Sequence, residues 1–321
     1  MARVSILIPA YRPDYFDLCI ASALAQTMQD FELIVSDDCP TDDVERVLSK
    51  WQDPRIRYVR NETRGLYASN RDNLLRLATG QYIKFLYDDD FLYPRSIERL
   101  LQAIEATGTK IAFHYRHLID REGRVLAAPT PLGTQSPLHR ISPELLYKFM
   151  IAGLNNFIGE PTTMLFEAHA FRELDRPHAV HGWHLRFLDD VALFRRFAQA
   201  GHAIGGVAEF LSAFRQHPQQ NSNGQSPIFA AGLFEWELLL REAMDAGRLS
   251  ADEYAGGIAQ AHAMFRHYEP SFPELRSFLD LAGAPGKGGY MNGPFEEALK
   301  VAYLSIDLRR TKVFPPREAR A

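Results

Sequence analysis

Three clusters of aspartate are the residues of this sequence best suited to do chemistry: Asp37-Asp38, Asp88 to Asp90, and Asp189-Asp190. Hard carboxylate oxygens suit Mg²⁺ or Mn²⁺, which take one or two carboxylates and complete their shell with substrate phosphates and water. Because adjacent carboxylates repel one another, a cation or polar donors must offset the triple cluster if it is enclosed. A single cluster would be explained as a turn or a helix cap, but three at corresponding places favour a site.

The elements around these clusters must bring them together. Buried apolar runs at residues 4–8, 31–35 and 82–86 predict strands, with helical patterns between them. This alternation predicts an α/β fold with a mostly parallel sheet flanked by helices. The first two clusters follow the second and third of these strands, and the last opens a helical stretch at 191–200. Since open α/β sheets bind ligands at the carboxyl edge of their strands, we expect the clusters to share one cleft.

The last third of the chain predicts a helical extension. We therefore divide the chain into a catalytic domain at 1–223 and a helical C-terminal region at 224–321. Ser250 and Glu253 have the spacing of a capping box, and the glycine-rich stretch 283–293 predicts a flexible linker. An apolar stripe through Trp236 indicates core packing, although a dimer interface would show the same pattern.

Composition excludes several classes of protein. The 321 residues carry 36 Lys and Arg against 40 Asp and Glu, a formal net charge of −4, so we expect no nucleic-acid partner. No apolar run approaches the roughly 18 residues of a membrane-spanning helix. Two cysteines are too few for a disulfide framework, which favours the reducing cytoplasm. We expect Cys19 in the core and Cys39 exposed.

The turn after the first predicted strand restricts how a nucleotide could be held. It reads Pro9-Ala10-Tyr11-Arg12-Pro13 and contains no glycine. The turn therefore lacks the glycine-rich phosphate loops GxGxxG and GxxxxGKS/T, whose backbone amides hold phosphates. A nucleotide-using enzyme with this turn would need a metal ion instead, which directs attention to the aspartates.

Five segments, taken together, resemble the family 2 glycosyltransferases of the GT-A fold. They are VSILIPAYRP at 4–13, QTMQDFELIVSDDCPTDD at 26–43, ASNRDNLLRLATGQYI at 68–83, FLYDDDFLYP at 85–94 and LDDVALFRRFAQAG at 188–201. The resemblance extends over residues 3–217. It implies a metal-dependent, inverting transfer of a sugar from a UDP- or dTDP-sugar to a hydroxyl of a glycan or lipid-linked acceptor.

The resemblance also implies a nucleotide-binding set. By position, Pro9, Tyr11 and Asp38 would hold the base, with Tyr11 against the pyrimidine ring and Asp38 accepting from its imide N–H. Arg71 would lie near the nucleotide and Asp88 near the ribose. Cys39-Pro40 replaces the usual Gly-Ser after the aspartate pair, so the shape of that turn is left open.

The metal ligand and the base follow from the same resemblance. Asp89 would ligate Mn²⁺ or Mg²⁺, and Tyr87 stands where a strict DxD motif has its first aspartate. His217 matches a histidine that some relatives have near the metal or diphosphate, although a surface histidine explains it equally well. Asp190 matches the general base, which would take the proton of the acceptor hydroxyl.

Weaker candidates lie between these motifs. Glu160, Asp189 and Trp183 are candidates for contact with the donor sugar or the acceptor, although a loop glutamate without a role explains Glu160 as well. An HxxHxxH run at 178–184 invites a zinc site, which we reject because its spacing suits neither one helix face nor a strand and brings no further ligand.

The basic tail suggests a location for the enzyme. Its cationic residues are Arg309, Arg310, Lys312, Arg317 and Arg320. They could hold the enzyme on an anionic membrane near a lipid-linked acceptor, or simply be solvated.

Two other functions stay open. A non-catalytic protein could keep the nucleotide-sugar pocket and perform no transfer. A sugar-nucleotide pyrophosphorylase has a related architecture, but it normally needs a glycine-rich, basic loop after the first strand.

Overall fold

The chain folds as a large mixed sheet covered by helices on both faces. The computed structural model describes residues 2–61, 67–218, 220, 222–224, 226, 228–281, 283 and 285–313, with the backbone alone at 67–69 and 311–313. The strands are β1 Val4–Ala10, β2 Phe31–Asp37, β3 Ile56–Arg60, β4 Tyr82–Phe85, β5 Phe91–Leu92, β6 Ile111–Ile119, β7 Val125–Ala127, β8 Leu138–Ile141, β9 Met164–Glu167, β10 Ala179–Val180, β11 Trp183–His184 and β12 Ile204–Arg215.

Helices fill many of the connections and most of the described part of the C-terminal third. They are α1 Phe16–Leu24, α2 Asp43–Leu48, α3 Tyr67–Leu77, α4 Ser96–Thr107, α5 Pro143–Leu146, α6 Ala168–Arg172, α7 Asp189–Gln199, α8 Phe229–Asp245, α9 Ala251–Tyr268, α10 Arg276–Leu279 and α11 Gly293–Val313. Helix α4 ends at Gly108, whose φ of +63° is a left-handed conformation that glycine adopts at no steric cost. None of the described helices combines the length and apolarity needed to cross a bilayer.

The strand order of the main sheet is β3-β2-β1-β4-β9-β6-β12-β5, with β7 and β8 paired to β6 and β12. Strands β1 to β4 run parallel, and β12 runs parallel to β6. Strand β9 lies between β4 and β6 and is antiparallel to both. Because β9 reverses direction, β6 points the same way as β4, and the carboxyl ends of the long strands share one edge. The predicted α/β class and mostly parallel sheet are confirmed.

The strand register explains why distant aspartates meet at this edge. Ala10 at the end of β1 pairs with Asp37 at the end of β2. On the other side, Leu7 of β1 pairs with Phe85 of β4, so three further residues along each strand bring Asp88 level with Ala10. The first two aspartate clusters therefore flank the turn after β1.

Alternate residues of β1 face two hydrophobic clusters, one on each face of the sheet. Ile6 and Ile8 join the cluster that contains α1 and α4, whereas Leu7 joins a larger one. The larger cluster includes Phe234 and Ile306, so the C-terminal helices and the sheet share one core. Trp236 is buried there, which assigns its stripe to core packing.

Of the two local predictions for the C-terminal region, the capping box and the flexible linker, the structure agrees with the first only. The capping box is confirmed, because Ser250 Oγ accepts from the amide of Glu253 and the Glu253 carboxylate accepts from the amide of Ser250. The flexible linker at 283–293 is wrong in part. Its amides at Tyr290 and Met291 donate to the Asp245 carboxylate at 2.9 and 2.8 Å, which ties the stretch to α8.

Candidate functional site

A carboxylate holds the glycine-free turn after β1. Asp88 Oδ2 accepts from the backbone amides of Tyr11 and Arg12, both at 2.7 Å. Burial raises the pKa of Asp88 to about 7, with Asp89 adding to the rise. Pro9 is buried in β1 just before the turn. Through these two hydrogen bonds Asp88 fixes Tyr11 in place, a role that the sequence did not indicate.

Both aspartates at the end of β2 are buried, and their carboxylates have different partners. Asp37 is fully buried, and its carboxylate accepts from the Cys39 amide at 2.6 Å and the Tyr58 hydroxyl at 2.7 Å. Asp38 Oδ1 accepts from Asn61 Nδ2 at 2.7 Å. Cys39 is 2% exposed, so its predicted exposure is wrong: the Asp37 side chain folds the turn inward.

The triple cluster separates in the same way. Asp89 Oδ2 lies 2.9 Å from His217 Nε2, which places His217 at the site and not on the surface. Arg12 approaches the same Asp89 oxygen at 4.0 Å. Asp90 points inward, where Thr162 Oγ1 donates to it at 2.8 Å and the Arg215 amide at 3.2 Å. Of the three, Asp89 is the one whose carboxylate meets a histidine.

The donor set at Asp89 and His217 fits a divalent cation completed by substrate. Within the described residues, no three histidine, cysteine, aspartate or glutamate side chains are grouped so as to hold a metal by themselves. The Asp89 carboxylate is the kind of oxygen ligand that Mn²⁺ and Mg²⁺ take, and these ions retain positions for phosphate oxygens and water. The pair therefore fits a metal that arrives with a diphosphate.

The third cluster opens helix α7. Asp190 Oδ2 accepts from Asn156 Nδ2 at 2.8 Å, and its Oδ1 accepts from the Val191 amide at 2.7 Å. Burial raises the pKa of Asp190 to about 8, with Asp189 adding to the rise. Asp189 forms an ion pair with Arg71, which links this cluster to helix α3.

A half-buried ion pair lies near both the metal candidates and the base candidate. Arg116 Nε lies 2.8 Å from Glu160 Oε2. Burial raises the pKa of Glu160, and the Asp89 charge adds to the rise; Glu160 in turn adds to the raised pKa of Asp190. Glu160 is therefore close enough to interact with both clusters, and it is not a surface loop residue.

Trp183 and the histidines near it belong to different surroundings. The Trp183 ring stacks on Tyr303 of α11, with centroids 5.6 Å apart and planes at 24°. His178 is buried, and its Nδ1 donates to the Asp189 carbonyl at 3.0 Å. His181 approaches Glu296 instead. Because these side chains have separate partners, the rejected zinc site receives no support from the described residues.

Sequence reasoning missed two polar residues of the site, Asn156 and Arg116. Asn156 lies in an irregular segment and Arg116 on β6, and neither belongs to a motif. The glycine at 159 is the sequence feature that relates to Arg116. Its φ is +95°, and the Cβ of any other residue at 159 would lie 2.3 Å from the Arg116 guanidinium. Glycine before Glu160 thus allows the guanidinium to pass close to the backbone.

Taken together, the candidate residues lie along one edge of the sheet. Asp38 and Asp88 flank Tyr11. The charge of Asp89 raises the pKa of Glu160, and the charge of Glu160 in turn raises the pKa of Asp190. The predicted nucleotide, metal and base positions are therefore neighbours, as one cleft requires. Their individual roles stay predictions.

Known proteins can be compared with this arrangement. The chain is similar to chondroitin synthase of Escherichia coli, 36% identical over 39% of this chain and 18% of that protein. It is also similar to "UDP-Glc:alpha-D-GlcNAc-diphosphoundecaprenol beta-1,3-glucosyltransferase WfaP" of Escherichia coli, 35% identical over 36% of this chain and 45% of that protein. The chain thus spans less than half the length of either curated relative.

Solved structures and a family model extend the comparison. A crystal structure of S. aureus TarS 1-349 in complex with UDP-GlcNAc aligns with 96% of this chain and 90% of that one, with a TM-score of 0.59 and 17% identity. This likeness confirms the GT-A-type fold with its helical C-terminal region. The model described as "Glycosyl transferase family 2" matches residues 5–174, over half of the chain. The chain therefore belongs to glycosyl transferase family 2.

Proposed function

We propose that this protein transfers a sugar from a UDP- or dTDP-sugar to a hydroxyl acceptor, with inversion at the anomeric carbon. The observation that supports it most is the position of the half-buried Asp190 at the start of α7, where Asn156 and the Val191 amide orient its carboxylate. Its pKa, raised to about 8, lies near neutral pH, as a general base requires. Asp190 takes the proton from the acceptor hydroxyl while the acceptor oxygen bonds to the anomeric carbon. The bond from that carbon to the diphosphate breaks, and its electron pair leaves with the diphosphate.

The remaining residues divide the work of binding. Tyr11, fixed by Asp88, lies against the pyrimidine, and Asp38 accepts from its imide N–H. Asp89 and His217 hold Mn²⁺ or Mg²⁺, which would neutralise charge on the departing diphosphate. The Arg71–Asp189 pair holds the turn that carries Asp190.

Relatives support the choice of substrates. TarS crystals contain UDP-GlcNAc or UDP, and the name of WfaP specifies a UDP-glucose donor and a diphosphoundecaprenol-linked acceptor. A UDP-sugar donor and a lipid-linked or polysaccharide acceptor follow by analogy. The cytoplasmic location stays a prediction.

The experiment measures nucleotide binding and transfer separately. We expect UDP to raise the Tm only when Mn²⁺ is present, and we expect Asp89→Ala to abolish that dependence. Asp190→Asn should keep the UDP shift while losing transfer by about 100-fold or more. Full transfer by Asp190→Asn would remove the base assignment.

The same assay separates the alternatives. A non-catalytic binding protein would bind UDP with metal and show neither transfer nor slow hydrolysis of the sugar donor. A pyrophosphorylase would exchange labelled pyrophosphate into the nucleotide sugar, for which the glycine-free turn gives no support.

We further propose that α11 touches an anionic membrane. Val301, Leu304 and Leu308 are exposed at 50, 56 and 65% on one side of this helix, and basic residues follow them. Of those basic residues, Arg317 and Arg320 lie outside the described residues, Lys312 is described by its backbone alone, and Arg309 forms an ion pair with Glu274. Leu304→Ser should weaken sedimentation with phosphatidylglycerol vesicles, whereas Leu126→Ser, equally exposed at 56% on β7, should not. Equal binding by both variants would argue against the contact, and a change in oligomeric state of Leu304→Ser would assign the stripe to a dimer.

A further inference from the structure

A fully buried glutamate of the helical region holds the loop that leads into the catalytic turn. Glu235 of α8 is 0% exposed. One of its oxygens accepts from the Arg186 amide at 2.5 Å, and the other accepts from the amides of Phe187 and Leu188 at 3.1 and 2.7 Å. These three amides immediately precede Asp189, the first residue of α7. The carboxylate therefore fixes the point at which α7 begins.

The C-terminal helix holds this carboxylate from the other side. The Tyr303 hydroxyl of α11 donates to Glu235 at 3.1 Å. The Arg186 guanidinium lies 4.7 Å from the centre of the Tyr303 ring and 3.3 Å from Asp307 of the same helix. Helices α8 and α11 thus meet the loop 186–188 from two sides.

Burying a carboxylate costs desolvation free energy, which an apolar side chain packed in the same place would not. Taking a charged group out of water is unfavourable unless hydrogen bonds replace the lost hydration. Here burial raises the pKa of Glu235 to about 7, and three successive backbone amides and one hydroxyl supply the hydrogen bonds that stabilise its charged form. An apolar residue at 235 would fill the same space, but it would leave these donors unpaired.

We infer that Glu235 is a positioning residue for Asp190: it holds the loop 186–188, and hence the first turn of α7, in the place where Asp190 can reach the acceptor hydroxyl. The inference rests on the proposed function. It also gives the helical region a role in the active site, because α8 and α11 hold the loop that leads to Asp190. A displacement of about 1 Å in a reacting group can cost about 100-fold in rate.

The test compares Glu235→Gln with Glu237→Gln. The substitution at 235 turns one oxygen into an NH₂ group that faces amide donors, so we expect kcat to fall about 10- to 100-fold while KM for the donor stays within about twofold. Glu237 is also 0% exposed on α8, but it pairs with Arg241 and His262, away from the loop. Its variant should lose stability and keep kcat.

Hydrogen exchange provides a readout that does not depend on activity. The amides of 186–188 should exchange faster in Glu235→Gln than in the wild type, whereas their exchange rates in Glu237→Gln should equal those of the wild type. If Glu235→Gln does not fold, Tyr303→Phe removes a single hydrogen bond to the same carboxylate and should show a smaller change of the same kind.

Two results would overturn the inference: a folded Glu235→Gln with wild-type kcat and exchange, or an equal loss of kcat in Glu237→Gln. A wild-type protein without transfer activity would instead refute the proposed function, and the exchange data would still decide whether Glu235 holds the loop.

Discussion

At the scale of single residues, neighbouring aspartates of one cluster do different things. Asp37 and Asp90 are internal acceptors, Asp88 holds a turn, and Asp89 faces His217. The sequence predicts a site at these clusters, because turn formation explains one aspartate pair at a strand end more easily than three. It cannot predict which oxygen meets which donor, because the donors come from distant segments such as Thr162.

Asp190→Asn should make the protein more stable while it removes transfer. The folded carboxyl has a pKa of about 8, raised from 3.8, so the folded state binds the proton more tightly than the unfolded state does. Its contribution to stability is complete below about pH 4 and is lost as pH rises to about 8. Asparagine carries no such charge. We expect the variant to gain more than about 1 kcal/mol at pH 8.5 by urea unfolding.

The matched measurement is the same unfolding experiment at pH 4. There the wild-type carboxyl is protonated in the folded state and about 40% protonated in the unfolded state, so most of the pH-dependent difference is gone and the gain should become small. A gain that is equal at both values of pH would contradict the assigned pKa.

Gly159→Ala should lower stability by disturbing the ion pair beside it. Its φ of +95° is unfavourable for alanine, and the new Cβ would push the Arg116 guanidinium away from Glu160. We expect a loss of about 2 to 4 kcal/mol in the free energy of unfolding. Gly123→Ala is the control, because its φ is +88° and nothing lies within 4 Å of the added Cβ. Equal losses would mean that only the backbone conformation matters.

At the scale of elements, local patterns predict the first half of the sheet and fail beyond it. Strands β1, β2 and β4 are mostly apolar and almost entirely buried, which is typical of strands covered on both faces. Strand β9 has only four residues, too short an apolar run to stand out, and its place between β4 and β6 depends on pairings more than 50 residues apart. Sequence periodicity contains no information on that register.

Ser250→Ala tests a local signal that the structure confirms in the helical region, the capping box of α9. The change removes the hydroxyl that accepts from the Glu253 amide at 3.2 Å, so the start of α9 loses a cap. We expect a loss of about 1 kcal/mol in unfolding free energy, measured in urea. Sugar transfer should be unchanged, because the cap lies outside the candidate site. A change in kcat would show that α9 is coupled to the chemistry.

At the scale of the whole molecule, the division into a catalytic and a helical part is one of sequence pattern and not of packing. Leu7 and Phe85 of the sheet lie in the same hydrophobic cluster as Phe234, Phe265 and Ile306. The pattern changes near residue 224 because helices replace strands there, but a change of secondary structure does not by itself separate two cores.

Chain 1–223 should therefore not fold by itself. Removing α8 to α11 would uncover the side chains of the shared cluster, and an exposed apolar surface of that kind favours aggregation. We expect the fragment to sediment, or to bind a hydrophobic dye and unfold without a cooperative transition. A monomeric fragment with a sharp urea transition would instead establish an independent domain.

The antiparallel strand β9 has a consequence for synthesis. Strand β4 ends at Phe85 and β9 begins at Met164, so one edge of the first four-stranded unit has no neighbour until 79 further residues have been added. At about 5 to 20 residues per second, the ribosome needs about 4 to 16 s to supply them. During that interval each nascent chain presents an unpaired, apolar strand edge, and adjacent ribosomes on one messenger would bring several such edges together.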